Sequence, residues 1–170
     1  MKHLITYEEI SQLARPCTTD KDMAEAMIAE AQRVELKPRL GDALYLKLMA
    51  ETPDERMATL LNGGTWEDCG GEAKLLTGVK TALAYYALAR IVRDGNIQAT
   101  TYGAVVKDDQ YSSDPERTER QRQYRELFSQ ADSYMAEVLH YLTHNRATFP
   151  EYKTCGKMRS NRMTVKTIGK

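Results

Sequence analysis

The sequence contains few of the residues that stabilise small secreted domains or span membranes. Three cysteines occur in 170 residues, with neither a Cys-x-x-Cys pair nor a zinc-ligand spacing among them. We therefore expect Cys17, Cys69 and Cys155 to be reduced thiols in a cytosol. The longest uninterrupted apolar run is the eight residues 82–89, whereas a membrane-spanning helix needs about 20.

The first residues also lack the long apolar core of a signal peptide, so we expect a soluble protein that is intracellular when made. A chain of 170 residues has the length of one domain. On folding, such a domain buries roughly 70% of the surface that its unfolded chain exposes. The fold therefore needs no disulfide or metal to hold it.

The net charge of zero hides a strong asymmetry along the chain. Residues 146–170 carry seven Lys and Arg against one Glu, a formal charge of +6, and residues 1–145 carry −6. We divide the chain accordingly into a helical domain, 1–145, and a basic C-terminal tail, 146–170. Such a tail is either a solvated segment that keeps the protein soluble or a docking element for this body or a neighbouring copy.

Residues 82–92 predict a buried central helix. They form a helix-favouring run of Ala, Leu, Tyr, Ile and Val with one charged member, Arg90. Because a helix that is apolar on nearly every side must be enclosed by others, we expect this helix, from about 72 to 94, to be the centre of a bundle. Arg90 then needs a carboxylate or carbonyl partner, or a position at a subunit boundary.

Capping residues mark the helices that precede it. Thr6 and Glu9 form a capping box that opens a short helix ending near residue 14. Asp20 or Thr19 opens a second helix, in which apolar residues recur at helical spacing up to Val34. Each of these helices presents one apolar face to the core and one polar face to water.

Proline and glycine predict the next boundaries. Pro38 and Gly41 are expected to break the helix, with Asp42 capping the one that follows. A further short helix is predicted with Thr52 as its cap and the glycine pair 63–64 as its stop.

The second half of the chain predicts one long helix after an extended segment. Residues 97–113 are β-branched and aromatic around a glycine, which indicates a long projecting loop or a small hairpin. From the Asp-Pro pair at 114–115 the pattern stays helical to about residue 145, roughly 46 Å. Its first turns, 116–125, are almost entirely polar and are expected to reach past the core.

These elements predict an all-α fold. It is a compact bundle of about five helices, with a buried central helix, a long C-terminal helix, an extended loop at about 97–113 and a basic tail. The single tryptophan, Trp66, lies beyond the glycine stop and is interpreted as a packing anchor or a partner contact.

No constellation of residues predicts catalysis. His140 and His144 are spaced i, i+4 and could share a metal. However, they are predicted to lie on the solvent-exposed face of the long helix, without a nearby cysteine or a His-Glu-x-x-His arrangement. The glycine pairs match neither the Walker spacing nor a Gly-x-Gly-x-x-Gly fingerprint. We therefore expect no enzyme activity, no metal and no cofactor.

Several motifs occur in an order that resembles a known protein family. They are Leu-x-Pro-x-Leu-Gly-Asp-x-Leu-Tyr from Leu36, Leu-Leu-Asn-Gly-Gly-Thr-Trp from Leu60, Gly-Val-Lys-x-Ala-Leu-Ala-Tyr-Tyr-Ala-x-Ala-Arg from Gly78, Tyr-Gly-x-Val-Val-Lys from Tyr102, and a long helix closing on Tyr141-Leu. Over about residues 1–152 this order resembles the head-tail connector, or head-completion, proteins of tailed phages and prophages, particularly those of Bacteroides-type bacteria.

The resemblance implies a non-enzymatic, all-helical virion protein at the head-tail junction. Such subunits form a ring, commonly of twelve copies, that binds the portal protein, receives a tail or stopper protein and lets DNA pass without sequence readout. By analogy, contacts to other copies or to the portal are expected in the loop, at Thr101, Tyr102, Val105, Val106, Lys107 and Tyr111. Tail contacts are expected at Lys153, Lys157, Arg159, Arg162, Val165 and Lys166, and further interface positions at Trp66 and Arg90.

A second function class fits the same composition. A helical bundle could bind nucleic acid without sequence preference if the basic residues of the tail neutralised phosphates. A steep loss of binding with added salt is the signature of that class. A channel lining needs the opposite property, because strong attraction would hold the DNA that must slide through it.

Overall fold

The computed structural model describes residues 2–52, 54–94 and 117–153, together with the backbone of 97–100 and 103–106. Within these ranges the chain is mostly helical and carries two antiparallel β-hairpins. The elements in order are α1 (Tyr7–Leu13), α2 (Lys21–Ala31), a π-helical turn (Gln32–Leu36), α3 (Lys37–Leu40), α4 (Asp42–Leu48), α5 (Glu55–Asn62), β1 (Gly64–Glu67), β2 (Ala73–Leu76), α6 (Val79–Asp94), β3 (Ile97–Thr100), β4 (Gly103–Val106) and α7 (Arg117–His144).

The first two helices begin where the sequence predicts. The Thr6 hydroxyl accepts from the Glu9 backbone N–H and the Glu9 carboxylate accepts from the Thr6 N–H, which confirms the capping box. Of the two candidate caps for α2, the structure uses Asp20, whose carboxylate accepts from the N–H of Met23.

The expectation that Pro38 breaks the helix is wrong. The helix passes from α2 through the π-helical turn and α3, with Pro38 near the start of α3. Pro38 has no backbone N–H to donate, and the helix continues past it behind the π-helical turn, in which the N–H of Lys37 donates to the Gln32 carbonyl. The chain turns at Gly41, where φ is +80°, and Asp42 is the first residue of α4 rather than its cap.

The cap of α5 is also shifted from its predicted position. Asp54, not Thr52, caps the helix by accepting from the N–H of Met57. Gly63 ends the helix with a φ of +87°, as predicted.

The hairpin β1–β2 was not predicted, and it shortens the central helix. Residues 73–76 pair as a strand with 64–67, so α6 begins at Val79 instead of residue 72. Gly78 is the reason for this boundary. Its φ is +89°, and a Cβ there would lie 2.6 Å from the Leu61 carbonyl oxygen and from the Gly63 nitrogen. The positive φ of Gly78 makes the turn from β2 into α6, and the close backbone contact leaves no room for a side chain there.

The prediction of a buried central helix is confirmed by α6. Ten of its residues are buried, among them Tyr86 and Arg90. It packs mainly against α7 and α2. Thr77 before α6 meets Glu137 late in α7, and Arg93 at the end of α6 meets Tyr124 early in α7, so the two helices run antiparallel.

The long helix α7 also follows its prediction, as far as the described residues reach. Its buried side chains are Leu127, Ala131, Met135, Val138, Tyr141 and Leu142. Its first turns, from Arg117 to Glu126, are largely exposed. The predicted start at 114–115 lies outside the described residues.

Two further features refine the predicted architecture. β3 and β4 pair antiparallel, so the two described strands, 97–100 and 103–106, agree with the hairpin alternative rather than the loop. Phe149 is fully buried in the same core as α6, so the packed body includes the first residues of the segment assigned to the tail.

No helix among the described residues is long and apolar enough to cross a membrane.

Candidate assembly surfaces

Arg90 lies inside the body and is paired there. Its guanidinium donates to the carboxylate of Glu30 and, at 2.9 Å, to that of Glu35. The Arg90 side chain is 6% exposed and that of Glu35 is 10% exposed. The structure thus places Arg90 in the intramolecular pair, the first of the two alternatives, and not on an accessible subunit boundary.

The Arg90 pair continues into a polar network that ties three helical layers together. Arg39 donates to Glu35 at 2.8 Å and to Asp132 of α7 at 2.9 Å. Tyr86 donates its hydroxyl proton to the same Asp132 carboxylate, 2.5 Å away. Burial and this hydrogen bond raise the pKa of Tyr86 above its ordinary value. The network joins the α2–α3 segment, α6 and α7, so its role is to fix the helices relative to one another.

Trp66 is held between the β1–β2 hairpin and the last turns of α7. Its ring centroid lies 5.2 Å from that of Tyr141 in an edge-to-face arrangement. The imidazoles of His140 and His144 lie at 5.9 and 5.8 Å. Trp66 is only partly buried. It therefore acts as the packing anchor of the hairpin and keeps a surface that a partner can reach.

The chain is anchored at the point where the tail begins. The Glu151 carboxylate accepts from Lys47 of α4 and from Arg56 of α5, and Arg56 also donates to the Thr148 carbonyl. The Lys47 and Arg56 hydrogen bonds hold the pKa of Glu151 at about 2. With Phe149 in the core, these contacts fix the exit of the tail beside α4 and α5.

Beyond this anchor, the structure describes one of the predicted tail contacts. Lys153 is exposed at the end of the described chain. The predicted tail residues Lys157, Arg159, Arg162, Val165 and Lys166 lie outside the described residues. So do Thr101, Tyr102, Lys107 and Tyr111 of the loop, whereas Val105 and Val106 lie on β4, where the backbone alone is described.

The exposed start of α7 and the adjoining end of α6 each carry an ion pair. Arg122 donates to Glu119 at 2.7 Å, and Arg93 of α6 donates to Asp94 at 2.7 Å while its guanidinium lies 5.1 Å from the centre of the Tyr124 ring. Such pairs contribute little to stability, because water and salt screen charges that are exposed to solvent. They leave this end of the helix polar and open to a partner.

The described residues offer little that resembles a reaction centre. An open cleft of about 410 Å³ lies between the end of α6 and the start of α7, lined by Arg93, Asp94, Arg117, Arg120 and Gln121. No group of three or more His, Cys, Asp or Glu side chains able to hold a metal occurs in the described parts of the chain. The geometry in these parts is that of a packed scaffold with several accessible surfaces.

The sequence did not predict the Glu151 anchor or the β1–β2 hairpin. The Glu151 anchor joins residues about 100 positions apart, and no local pattern signals such a pair. The β1–β2 hairpin did leave a signal, because the glycine pairs 63–64 and 70–71 flank the Thr-Trp-Glu run.

Comparison with known proteins gives one match. A family model described as "Family of unknown function (DUF6712)" matches residues 36–162. Neither the curated proteins nor the solved structures contain a match to the chain.

Proposed function

The chain belongs to the DUF6712 family, whose function is unknown, and we propose that this member is a structural subunit of a phage head-tail connector ring. In that role it joins the portal to the tail and extends the DNA channel. Its partners are further copies of itself, the portal protein and a tail or stopper protein. DNA passes through the ring without being read.

One observation carries the proposal: the packed body ends at an anchored point, and the sequence that continues from it, 154–170, is a strongly basic arm. Phe149 and Glu151 hold the chain against α4 and α5, and the 17 residues that follow Lys153 contain five Lys and Arg with no Asp or Glu. Fully extended, 17 residues span up to about 60 Å. The body carries the opposite net charge, so one copy attracts the arm of the next.

The motifs behind the resemblance support a function carried by shape. Gly63 and Gly78, from two different motifs, meet backbone to backbone at the junction of α5, β2 and α6. The Ala- and Tyr-rich motif forms the buried part of α6, and Leu40, Leu44 and Tyr45 of the first motif lie in the core. These motif residues build the fold instead of converging on a ligand site.

Exposed apolar side chains add to this support. Leu46 of α4 and Leu75 of β2 are 68% and 71% exposed, and Val34 in the π-helical turn is 50% exposed. Single exposed apolar residues are common on monomers, but their burial between subunits would stabilise a ring by roughly 25 cal/mol per Å².

The proposal is tested by comparing the full chain with a variant that ends at Lys153. The truncated chain keeps Phe149 and the Glu151 anchor, so we expect circular dichroism and urea midpoint to stay the same. On a column of immobilised cognate portal protein, the full chain is expected to bind and the truncated chain to bind at least about tenfold more weakly. Equal binding would remove the arm from the proposal, and no binding by either chain would contradict the portal-binding role.

The nucleic-acid alternative is separated by a salt series. A DNA-binding tail that neutralises five or six phosphates gives an affinity that falls by roughly 10³-fold between 50 and 200 mM salt. Fluorescence anisotropy with labelled duplex DNA measures this slope. For a connector subunit we expect weak DNA binding at 150 mM salt, together with portal binding at the same salt concentration.

A further inference from the structure

His140 and His144 form a pair of neighbouring imidazoles on the last two turns of α7. Residues four apart lie on the same face of a helix, and the centroids of the two rings are 4.1 Å apart. Both residues are exposed to solvent, so an ion from solution can reach them.

A hydrogen bond determines which ring nitrogen of His144 has a lone pair available for a metal ion. Its Nδ1 lies 2.9 Å from the backbone carbonyl oxygen of His140. A carbonyl oxygen only accepts hydrogen bonds, so Nδ1 carries the proton of the neutral ring. The lone pair is then on Nε2. Histidines that bind metals commonly have this arrangement, in which the second nitrogen donates to a carbonyl and orients the ring.

Trp66 keeps the two rings in place. Its indole lies against both imidazoles, at 5.9 and 5.8 Å between centroids, and the Trp66 backbone is fixed by strand pairing with Lys74. Side chains that are already ordered lose less conformational entropy when they bind a ligand. The sequence alone predicts that the two histidines lie on the solvent-exposed face of α7. It does not show that a tryptophan from a distant hairpin packs on them.

From this geometry we propose that His140 and His144 bind one divalent transition-metal ion at the surface, with water completing its coordination. Two imidazole nitrogens suit Cu²⁺, Ni²⁺ and Zn²⁺, and the affinity is expected to be highest for Cu²⁺ in that series. The site has two protein ligands and an open face, so binding is reversible and removed by a chelator.

The single tryptophan supplies the test, because a paramagnetic ion held at the pair lies within a few ångströms of Trp66 and quenches its fluorescence. The titrations use His3→Ala as the parent protein, because a free N-terminal amine two residues before His3 would itself bind the first equivalent of Cu²⁺. We expect Cu²⁺ to quench this parent saturably at one equivalent, with full recovery after EDTA. His140→Ala or His144→Ala in the parent removes one of the two ligands and is expected to raise the midpoint at least about tenfold. Thr143→Ala, an exposed position on the same turn of α7, is the matched control and should leave the midpoint unchanged.

A second measurement separates metal binding from altered packing of Trp66. Calorimetric titration of Trp66→Phe in the same His3→Ala parent with Cu²⁺ should still give one equivalent bound, because both imidazoles remain. The proposal is overturned if His140→Ala and His144→Ala quench like the parent, or if Thr143→Ala weakens quenching as much as they do. Equal Cu²⁺ binding by the double variant His140→Ala/His144→Ala of the parent in the calorimeter would overturn it as well.

Discussion

The interior and the periphery of this protein use the same chemistry with different consequences. Arg90 and Arg56 each hold carboxylates from distant parts of the chain, but the Arg90 side chain is 6% exposed and that of Arg56 is 29% exposed. Removing one partner of a buried pair leaves an uncompensated charge, whereas a peripheral partner is replaced by water. The interior pair therefore determines how the helices pack, and the peripheral pair determines where the tail leaves the body.

The largest effect is expected from a glycine in the interior. Gly78→Ala places a Cβ 2.6 Å from backbone atoms of residues 61 and 63, at a φ of +89°, so we expect a loss of at least about 3 kcal/mol of unfolding free energy. Gly71→Ala, at a φ of +77° with no atom within 4 Å, should cost about 1–2 kcal/mol. Urea denaturation measures both, and equal losses would contradict the close contact at Gly78.

The buried ion pair comes next. Arg90→Met leaves Glu35 in the interior with Arg39 as its remaining ion-pair partner among the described residues, and we expect it to lower the free energy of unfolding by about 3 kcal/mol. Glu30→Gln is the matched change at the partner that is 44% exposed, with an expected loss below about 1 kcal/mol. If the two variants unfold at the same urea concentration, burial does not distinguish the two ends of this network.

A smaller effect is expected at the peripheral anchor. Glu151→Gln weakens the contacts with Lys47 and Arg56 and should lower the free energy of unfolding by about 1 kcal/mol. Limited trypsin digestion gives a more local readout, because cleavage after Lys153 and Arg146 is expected to accelerate in the variant. Unchanged cleavage with an unchanged urea midpoint would show that Phe149 holds the chain without the ion pair.

The smallest effect is a dependence on pH. The pKa of Glu151 is lowered from 4.5 to about 2 in the fold, so its ionised form stabilises the native state. That contribution is fully present above about pH 4.5 and is lost as the pH falls toward 2. The difference in stability between wild type and Glu151→Gln should therefore shrink from pH 6 to pH 2. A constant difference across this range would contradict the role of charge in the anchor.

Local signals predicted the helices well because their causes are local. The Thr6 and Glu9 box, the Asp20 cap and the apolar pattern of α6 and α7 act within a few residues. Pro38 misled the prediction, since a π-helical turn before it keeps the chain helical. The β1–β2 hairpin left a local signal in its flanking glycine pairs, but the packing of Trp66 against α7 is a contact that no window of sequence contains.

The candidate surfaces were predictable only in part. The apolar residues around Arg90 in the sequence predicted that its charge needs a partner, such as a carboxylate. The identity of the two carboxylates depends on how α2 packs against α6, which the sequence does not show. The sequence placed His140 and His144 on the exposed face of α7, and the tryptophan beside them became visible only with the fold. Glu151 lies in a segment that reads as the beginning of a basic tail, although it belongs to the packed body.

Electron microscopy of this protein mixed with its cognate portal protein tests the proposed role most directly. For a head-tail connector subunit, negative-stain images are expected to show a closed ring of copies seated on the portal and continuing its channel. Bare portals in those images, together with a protein that stays monomeric in light scattering at high concentration, would contradict the connector role.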